Sequence, residues 1–310
     1  MIIGIIGDAH LTNKAPIGRL DEYFDTQMGK LQQALAIFAE NSCDMIIQTG
    51  DLTDNPFVSC YVLASVIRLL EKKGVKLHLT WGQHDVTSHS KASLKSSPLH
   101  VFQSAGVVRL LDEKPMKEGN VHFYGCGFGE EVPTPVDQNA YNVLVIHRMI
   151  SAVELYPGQD FTRPAQFLKM NRPYNLVICG DCHYRFVDTY DGRTIFNPGA
   201  LVRKTRSEMD LHHRPAVIIF DTDTNTVEIK ELQFKPHDEV FDLTKTQPRD
   251  TEALNRLIDG LKTGNKNNTS WKHVLLKVIE EMEPDSGTRA ILDECLDSVS
   301  SQQPIHVDAE

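Results

Sequence analysis

Five short apolar runs in this chain each stop on residues of a metal-binding type. IIGIIG (2–7) runs into Asp8-Ala9-His10, and MIIQTG (45–50) runs into Asp51 with Asp54 close behind. VKLHLTWG (75–82) runs into Gln83-His84-Asp85, YNVLVIH ends on His147, and YNLVICG runs into Asp181-Cys182-His183. One carboxylate at a strand end is ordinarily a helix cap or a turn former. Five such clusters in series, all carboxylate, amide or imidazole, are not explained by capping. In layered sheets the loops at the carboxyl ends of strands converge, so residues placed there meet in one crevice. The pattern therefore points to a layered α/β fold whose strand ends build a single polar site.

The intervening segments agree. Met28, Leu31, Leu35 and Phe38 recur at helical spacing, and residues 57–71 read as a second helix. From about 107 onward strands predominate: VVRLL, NVHFYGCG, YNVLVIH, YNLVICGD, RFVDTY and RTIFNPG. PAVIIFD and TVEIKELQF, split by DTDTN, read as a closing hairpin. After Pro236 the texture changes, and residues 250–262, 271–283 and 287–299 each read as helical. A boundary is expected at 236–248, giving a main domain over 1–235 and a linker with a small helical region over 236–310. SSQQPIHVDAE reads as a frayed tail. In the helical region Val274, Leu275, Val278, Ile279 and Met282 form one stripe, which either packs on its own domain or docks on a partner.

A chain of 310 residues, 41% of them hydrophobic, is long enough for one well-buried domain with an appendage. No apolar run approaches the roughly 18–20 residues that span a bilayer. MIIGII is too short, and lacks the basic start, to be a secretory signal, so a cytoplasmic location is expected. The six cysteines are then expected as thiols. The net charge of -10 argues against general affinity for nucleic acid. It is uneven: residues 236–310 carry net -7 and residues 1–235 only -3, which leaves room for a locally basic groove.

The motifs GDAH, GDLTD, GQHD, VIH and GDCH resemble, in order and spacing, those of the calcineurin-like metallophosphoesterases, whose pattern is D-x-H, G-D-x-x-D, G-N-H-[DE], a lone His and G-H-x-H. The resemblance covers roughly 1–235 and implies a layered β-sandwich flanked by helices, with two divalent metals. Carried over, Asp8, His10, Asp51 and His183 would hold the first metal, and Asp51, Gln83, His147 and Asp181 the second. His84 would face the scissile phosphate as proton donor or charge stabiliser, with Asp54 orienting its imidazole. Two positions depart from the pattern. Gln83 stands where the family has Asn, and Asp181 where it has His. The extra oxygen donors favour Mn²⁺, with Mg²⁺ next, over Zn²⁺.

CGDC also contains a C-x-x-C pair, Cys179 and Cys182. Redox pairs of this kind open a helix, whereas HYRFVDTYDGRT follows with a strand-and-turn texture, so Asp181 and His183 are the functional pair. GCGFG (125–129) lacks the spacing of a nucleotide loop and reads as a tight turn. His78, His100 and His122 read as core or surface residues. His212 and His213, beside Arg203, Lys204, Arg206 and Arg214, either touch phosphates or belong to a solvated loop.

Within the family, NPGALVRKTRSE (197–208) and the hairpin followed by helices resemble the SbcD-like nuclease subunits of DNA double-strand-break repair. That resemblance implies a hydrolase acting on DNA as exonuclease or endonuclease in repair and recombination. The implied partner is an SbcC-like coiled-coil ATPase, with room for a homodimer. The alternatives are a stand-alone phosphodiesterase for nucleotides or small phosphoesters, and a catalytically weak DNA-end-binding or regulatory module.

Overall fold

The computed structural model describes residues 1–112, 114–155 and 159–242. The helices expected between 250 and 299, with their apolar stripes, lie outside the described residues. In chain order the first six strands are β1 (Ile2–Ile6), β2 (Met45–Gln48), β3 (Leu77–Leu79), β4 (Val108–Leu110), β5 (Met116–Glu118) and β6 (Val121–Cys126). They are followed by β7 (Tyr141–His147), β8 (Leu176–Gly180), β9 (Phe186–Tyr190), β10 (Arg193–Asn197), β11 (Ala216–Asp221) and β12 (Thr226–Glu231). The helices are α1 (Tyr23–Glu40), α2 (Cys60–Lys73), α3 (Pro98–Ser104), α4 (Pro164–Met170), α5 (Glu208–His212) and α6 (His237–Val240).

The strands form two six-stranded sheets, ordered β12-β11-β1-β2-β3-β4 and β5-β6-β7-β8-β10-β9. β1 to β4 run parallel, as do β6, β7, β8 and β10. Antiparallel strands close the edges, including the expected hairpin β11–β12.

Period-two alternation of side chains assembles the layers. Ile3 and Ile5 of β1, Val143 and Val145 of β7, and Phe220 of β11 share one buried cluster between the two sheets. Their neighbours point outward. Ile6 meets Leu31, Leu35 and Phe38 of α1 on one flank. Leu144 and Ile146 meet Phe167 and Leu168 of α4 on the other. Strands buried on both faces read as near-continuous apolar runs, which is why MIIGII and YNVLVI carry no polar alternation. The fold is thus the layered β-sandwich flanked by helices that the motifs implied.

The second helix begins at Cys60 rather than 57, because Ser59 caps it by accepting from Val62 N at 3.4 Å. It ends where Gly74 turns to φ 63°. Val240 and Phe241 are buried, and Asp242 N donates to Gly18 O at 2.8 Å, so the described chain stays on this domain through Asp242. No described helix is long and apolar enough to cross a membrane.

Candidate metal centre

Five parallel strands deliver the centre: β1, β2 and β3 from one sheet, β7 and β8 from the other. Asp8 and His10 follow β1, Asp51 follows β2, Gln83 and His84 follow β3, His147 ends β7, and Asp181 and His183 follow β8. Each turn is sharp. His10, Asp51 and Asp181 take left-handed φ values of 46°, 52° and 78°. Non-glycine residues pay about 1–3 kcal/mol for strained backbone of this kind, with Asp at the low end, and such strain concentrates at functional sites. The glycines of the G-D motifs serve close approach. A Cβ on Gly180 would lie 2.6 Å from Asp8 Oδ1, one on Gly50 would lie 2.5 Å from His147 Nδ1, and one on Gly82 would collide with Asp51 Oδ1.

All the expected ligand residues converge. Asp8, His10 and His183 form one group, His10, Asp51 and His84 a second, and Asp8, Asp51 and His147 a third, with ligand atoms within 4.8 Å of one another. Asp51 is common to the last two. Its Oδ2 lies 3.4 Å from His147 Nε2, 3.8 Å from His10 Nε2 and 4.0 Å from His84 Nε2. Asp181 Oδ1 lies 3.9 Å from His147 Nε2, and Asp8 Oδ2 3.8 Å from His183 Nε2.

Buried polar atoms are normally hydrogen-bonded, yet His147 Nε2 and Gln83 Oε1 are buried and accept or donate no hydrogen bond. His147 Nδ1 donates to Thr49 O at 2.8 Å, which turns the Nε2 lone pair toward the carboxylates. His10 Nε2 and His183 Nε2 stand 3.0 Å apart, an approach that only a shared proton or a shared cation allows. Imidazoles and carboxylates gathered this closely, with the Gln83 amide beside Asp181, fit divalent cations. Asp8, His10, Asp51 and His183 would hold one, and Asp51, Gln83, His147 and Asp181 the other.

The electrostatics agree with that fit. Burial pushes the Asp8 carboxyl up to about 8, against the pull of His147. Burial likewise opposes charge on Asp51, but His147 above all, then His10 and His84, hold it well below the usual carboxylate range. His147 is raised well above its ordinary value because Asp51, Asp8 and Asp181 outweigh the cost of its burial. The three carboxyl groups facing this imidazole make the place favourable to positive charge. His183, by contrast, falls to about 3 through burial and the neighbouring His10 and Lys204.

Three roles differ from, or were invisible to, sequence reasoning. Asp54 holds His84 through its main-chain carbonyl, which accepts from His84 Nδ1 at 2.9 Å. Its carboxylate turns the other way, 3.5 Å from His10 Nδ1 and ion-paired to Lys204. Lys204 therefore belongs to the centre; RKTR signalled a cation but not its address. Asp85, left without a role by its motif, is buried and accepts from Thr53 N at 2.9 Å and Gly82 N at 3.0 Å. It ties the Asp51 turn to the Gln83 turn.

The thiols of the C-x-x-C stay apart from this chemistry. Cys179 and Cys182 are free and buried, and burial pushes Cys182 up to about 11. Gly127 and Glu130 close a turn in the GCGFG segment, at 3.1 Å between Glu130 N and Gly127 O. His213 is buried with its Nε2 on Ala200 O at 2.7 Å.

The family description for the calcineurin-like phosphoesterase superfamily domain matches residues 1–225. The chain belongs to this superfamily. It is a metal-dependent phosphoesterase of that fold. A dimetal phosphatase from Danio rerio is 15% identical, aligned over 74% of this chain and 95% of its own, with a TM-score of 0.51. An archaeal phosphodiesterase is 18% identical over 75% of this chain and 100% of its own, with a TM-score of 0.42. No curated protein matches the chain. For this calcineurin-like phosphoesterase the first likeness is one of fold, and the chemistry rests on the residues above.

Proposed function

We propose that this phosphoesterase is a DNA exo/endonuclease subunit acting in end processing, repair or recombination with an SbcC-like coiled-coil ATPase. The observation that carries the reading is Lys204. The basic stretch after NPG sends this cation to Asp54 beside the ligand cluster, where its side chain is still 24% exposed. A fixed cation beside the reacting centre suits a substrate with flanking phosphates, as a strand has, better than an isolated phosphoester. Two divalent ions would supply Lewis acidity at the phosphoryl oxygens and a water of lowered pKa. The chain's own part is positioning and proton transfer. His84, at 41% exposure the most open imidazole of the cluster, is oriented by the Asp54 carbonyl to protonate the leaving oxygen. Oxygen-rich donors at the second position favour Mn²⁺, then Mg²⁺. The acidic region beyond 236 suits a protein partner more than DNA. A cytoplasmic location and a homodimer accord with the same reading.

A second reading has its own observation. Gln83 Nε2 donates to Asp181 Oδ1, a bond that would compete with a second metal for that oxygen and so favours a weak, DNA-end-binding module. A nuclease assay on linear, hairpin and single-stranded DNA with and without Mn²⁺ separates the readings. Metal-dependent cleavage of DNA supports the nuclease, and metal-independent binding without turnover the module. Turnover of small phosphoesters alone makes the protein a stand-alone phosphodiesterase. Deleting residues 248–310 should abolish co-purification with an SbcC-like ATPase while metal content and cleavage of simple phosphodiesters survive.

A further inference from the structure

A second charged site lies on the opposite side of the segment that carries Lys204. Arg203 and Lys204 are neighbours in the chain but diverge: Lys204 reaches Asp54, whereas Arg203 reaches the carbonyl of Lys235. Arg203 and Lys30 of α1 line a cavity of about 370 Å³ together with Gln33 and Lys235. That volume falls in the range of small-molecule pockets, roughly 300–1,000 Å³.

Lys30 and Arg203 are each only 5% exposed. Buried charges are ordinarily paired, because leaving one unpaired costs several kcal/mol. Here they are not. Lys30 Nζ donates to Gln233 O at 2.8 Å and Arg203 to Lys235 O, both neutral acceptors. Among the described residues neither has a carboxylate within ion-pairing distance. The cavity's one carboxylate, Asp21, is engaged elsewhere: Arg19 holds both its oxygens at 2.8 and 2.7 Å, and Thr26 donates to it at 2.6 Å. The Phe234 ring lies near both cations, its centroid 5.9 Å from Lys30 Nζ and 5.2 Å from the Arg203 guanidinium carbon, with Arg214 a third cation at 5.7 Å. The strain of this arrangement registers on Lys30, whose ammonium falls to about 8 through burial and then the nearness of Arg203 and Arg19.

The bland account makes the two cations caps for the carbonyls after β12, a task that a neutral donor does without a buried charge. The remaining N–H groups of an ammonium and a guanidinium outnumber what a carboxylate accepts and match the several oxygens of a phosphate, which an arginine fork grips well. We propose that this cavity is a binding site for a phosphate group, formed by Lys30, Arg203, Gln33 and Lys235 and separate from the metal centre. Free phosphate and the terminal phosphate of a nucleotide strand share that chemistry.

The test is calorimetric titration of the full-length protein, stripped with EDTA so that the carboxylates of the centre repel anions. Inorganic phosphate should bind, and Lys30→Gln should weaken it by about tenfold or more, since a charged hydrogen-bonding partner is lost. Lys235→Gln, on the cavity rim, should weaken it in the same direction, and Lys117→Gln, on exposed β5, should leave it unchanged. If circular dichroism shows Lys30→Gln unfolded, Lys235→Gln decides. A 5′-phosphorylated hexanucleotide forms the second arm. Tighter binding than inorganic phosphate assigns the site to strand ends, and equal binding assigns it to free phosphate. Absence of binding in both arms, or affinities unmoved by the two cavity variants, overturns the proposal.

Discussion

Gln83 Nε2 donates to Asp181 Oδ1 at 2.8 Å, so the two residues that depart from the family's motifs are each other's partner. They behave as one unit. Asp181→His should restore an imidazole and tighten the second metal site, but it also strips Gln83 of its acceptor. The full gain should therefore need Gln83→Asn as well. A double-mutant cycle on Mn²⁺ affinity should return a coupling of about 0.5–3 kcal/mol, as for residues in direct contact. Strict additivity would mean that the bond has no bearing on the metal.

Asp51 stands between the His10 and His147 imidazoles, and its other oxygen accepts from His84 N at 2.8 Å. Asp51→Asn keeps the size and one acceptor but loses the charge both metal positions need. Metal content by mass spectrometry should fall sharply and turnover with it, while far-ultraviolet circular dichroism stays native. Full metal stoichiometry with normal turnover would remove Asp51 from the bridge.

His84 and Asp54 separate chemistry from metal binding. His84→Ala should retain metal yet slow phosphodiester cleavage by about 10²–10⁴-fold, the usual contribution of a positioned acid. Asp54→Asn leaves the carbonyl under His84 intact but takes the carboxylate from His10 and Lys204. Its main effect should be on metal affinity, lowered by about 10–100-fold as for other residues that orient a ligand. The opposite pairing of effects would reverse the two assignments.

What was legible in the sequence follows from this contrast. The strand ends and their ligand types could be read because burial on two faces leaves uninterrupted apolar runs, and the polar break after each is conspicuous. Short β5, with only Met116 buried, offers no such run. α3 and α4 are seven residues each, too brief for a helical period to declare itself. The hold of Asp54 on His84 runs through a main-chain carbonyl, a group every residue has, so no side-chain pattern could announce it. Lys204 was visible as a charge, but its partner lies 150 positions earlier in the chain, joined only by the fold.

Lys30 sets a pH dependence of stability. Its ammonium titrates near 8 in the folded protein and near 10.4 when unfolded. Below about pH 8 it is charged in both states and its burial costs the fold throughout. Between about 8 and 10.4 the unfolded chain binds more protons, so this group makes stability rise with pH and the gain is complete above that window. Urea denaturation of the EDTA-treated protein in phosphate-free buffer at pH 7.5 and 9.5 should show this contribution as a difference from Lys30→Met, whose curve lacks it. Identical pH responses of the two proteins would show that Lys30 does not titrate in the window.

β1 lies inside its sheet, with β2 on one side and β11 on the other, so that Ile3 pairs with both Met45 and Phe220. β1 therefore gains its second neighbour only once β11 has been made. During synthesis at about 5–20 residues per second, β1 can dock on β2 within seconds, but its other flank stays open until β11 has left the ribosome. Asp8 and His10 hang from the end of that strand. A ribosome-bound chain halted before β11 thus carries an unpaired, very apolar edge on the strand that leads into Asp8 and His10. Such long-range pairing slows folding and exposes edges to aggregation.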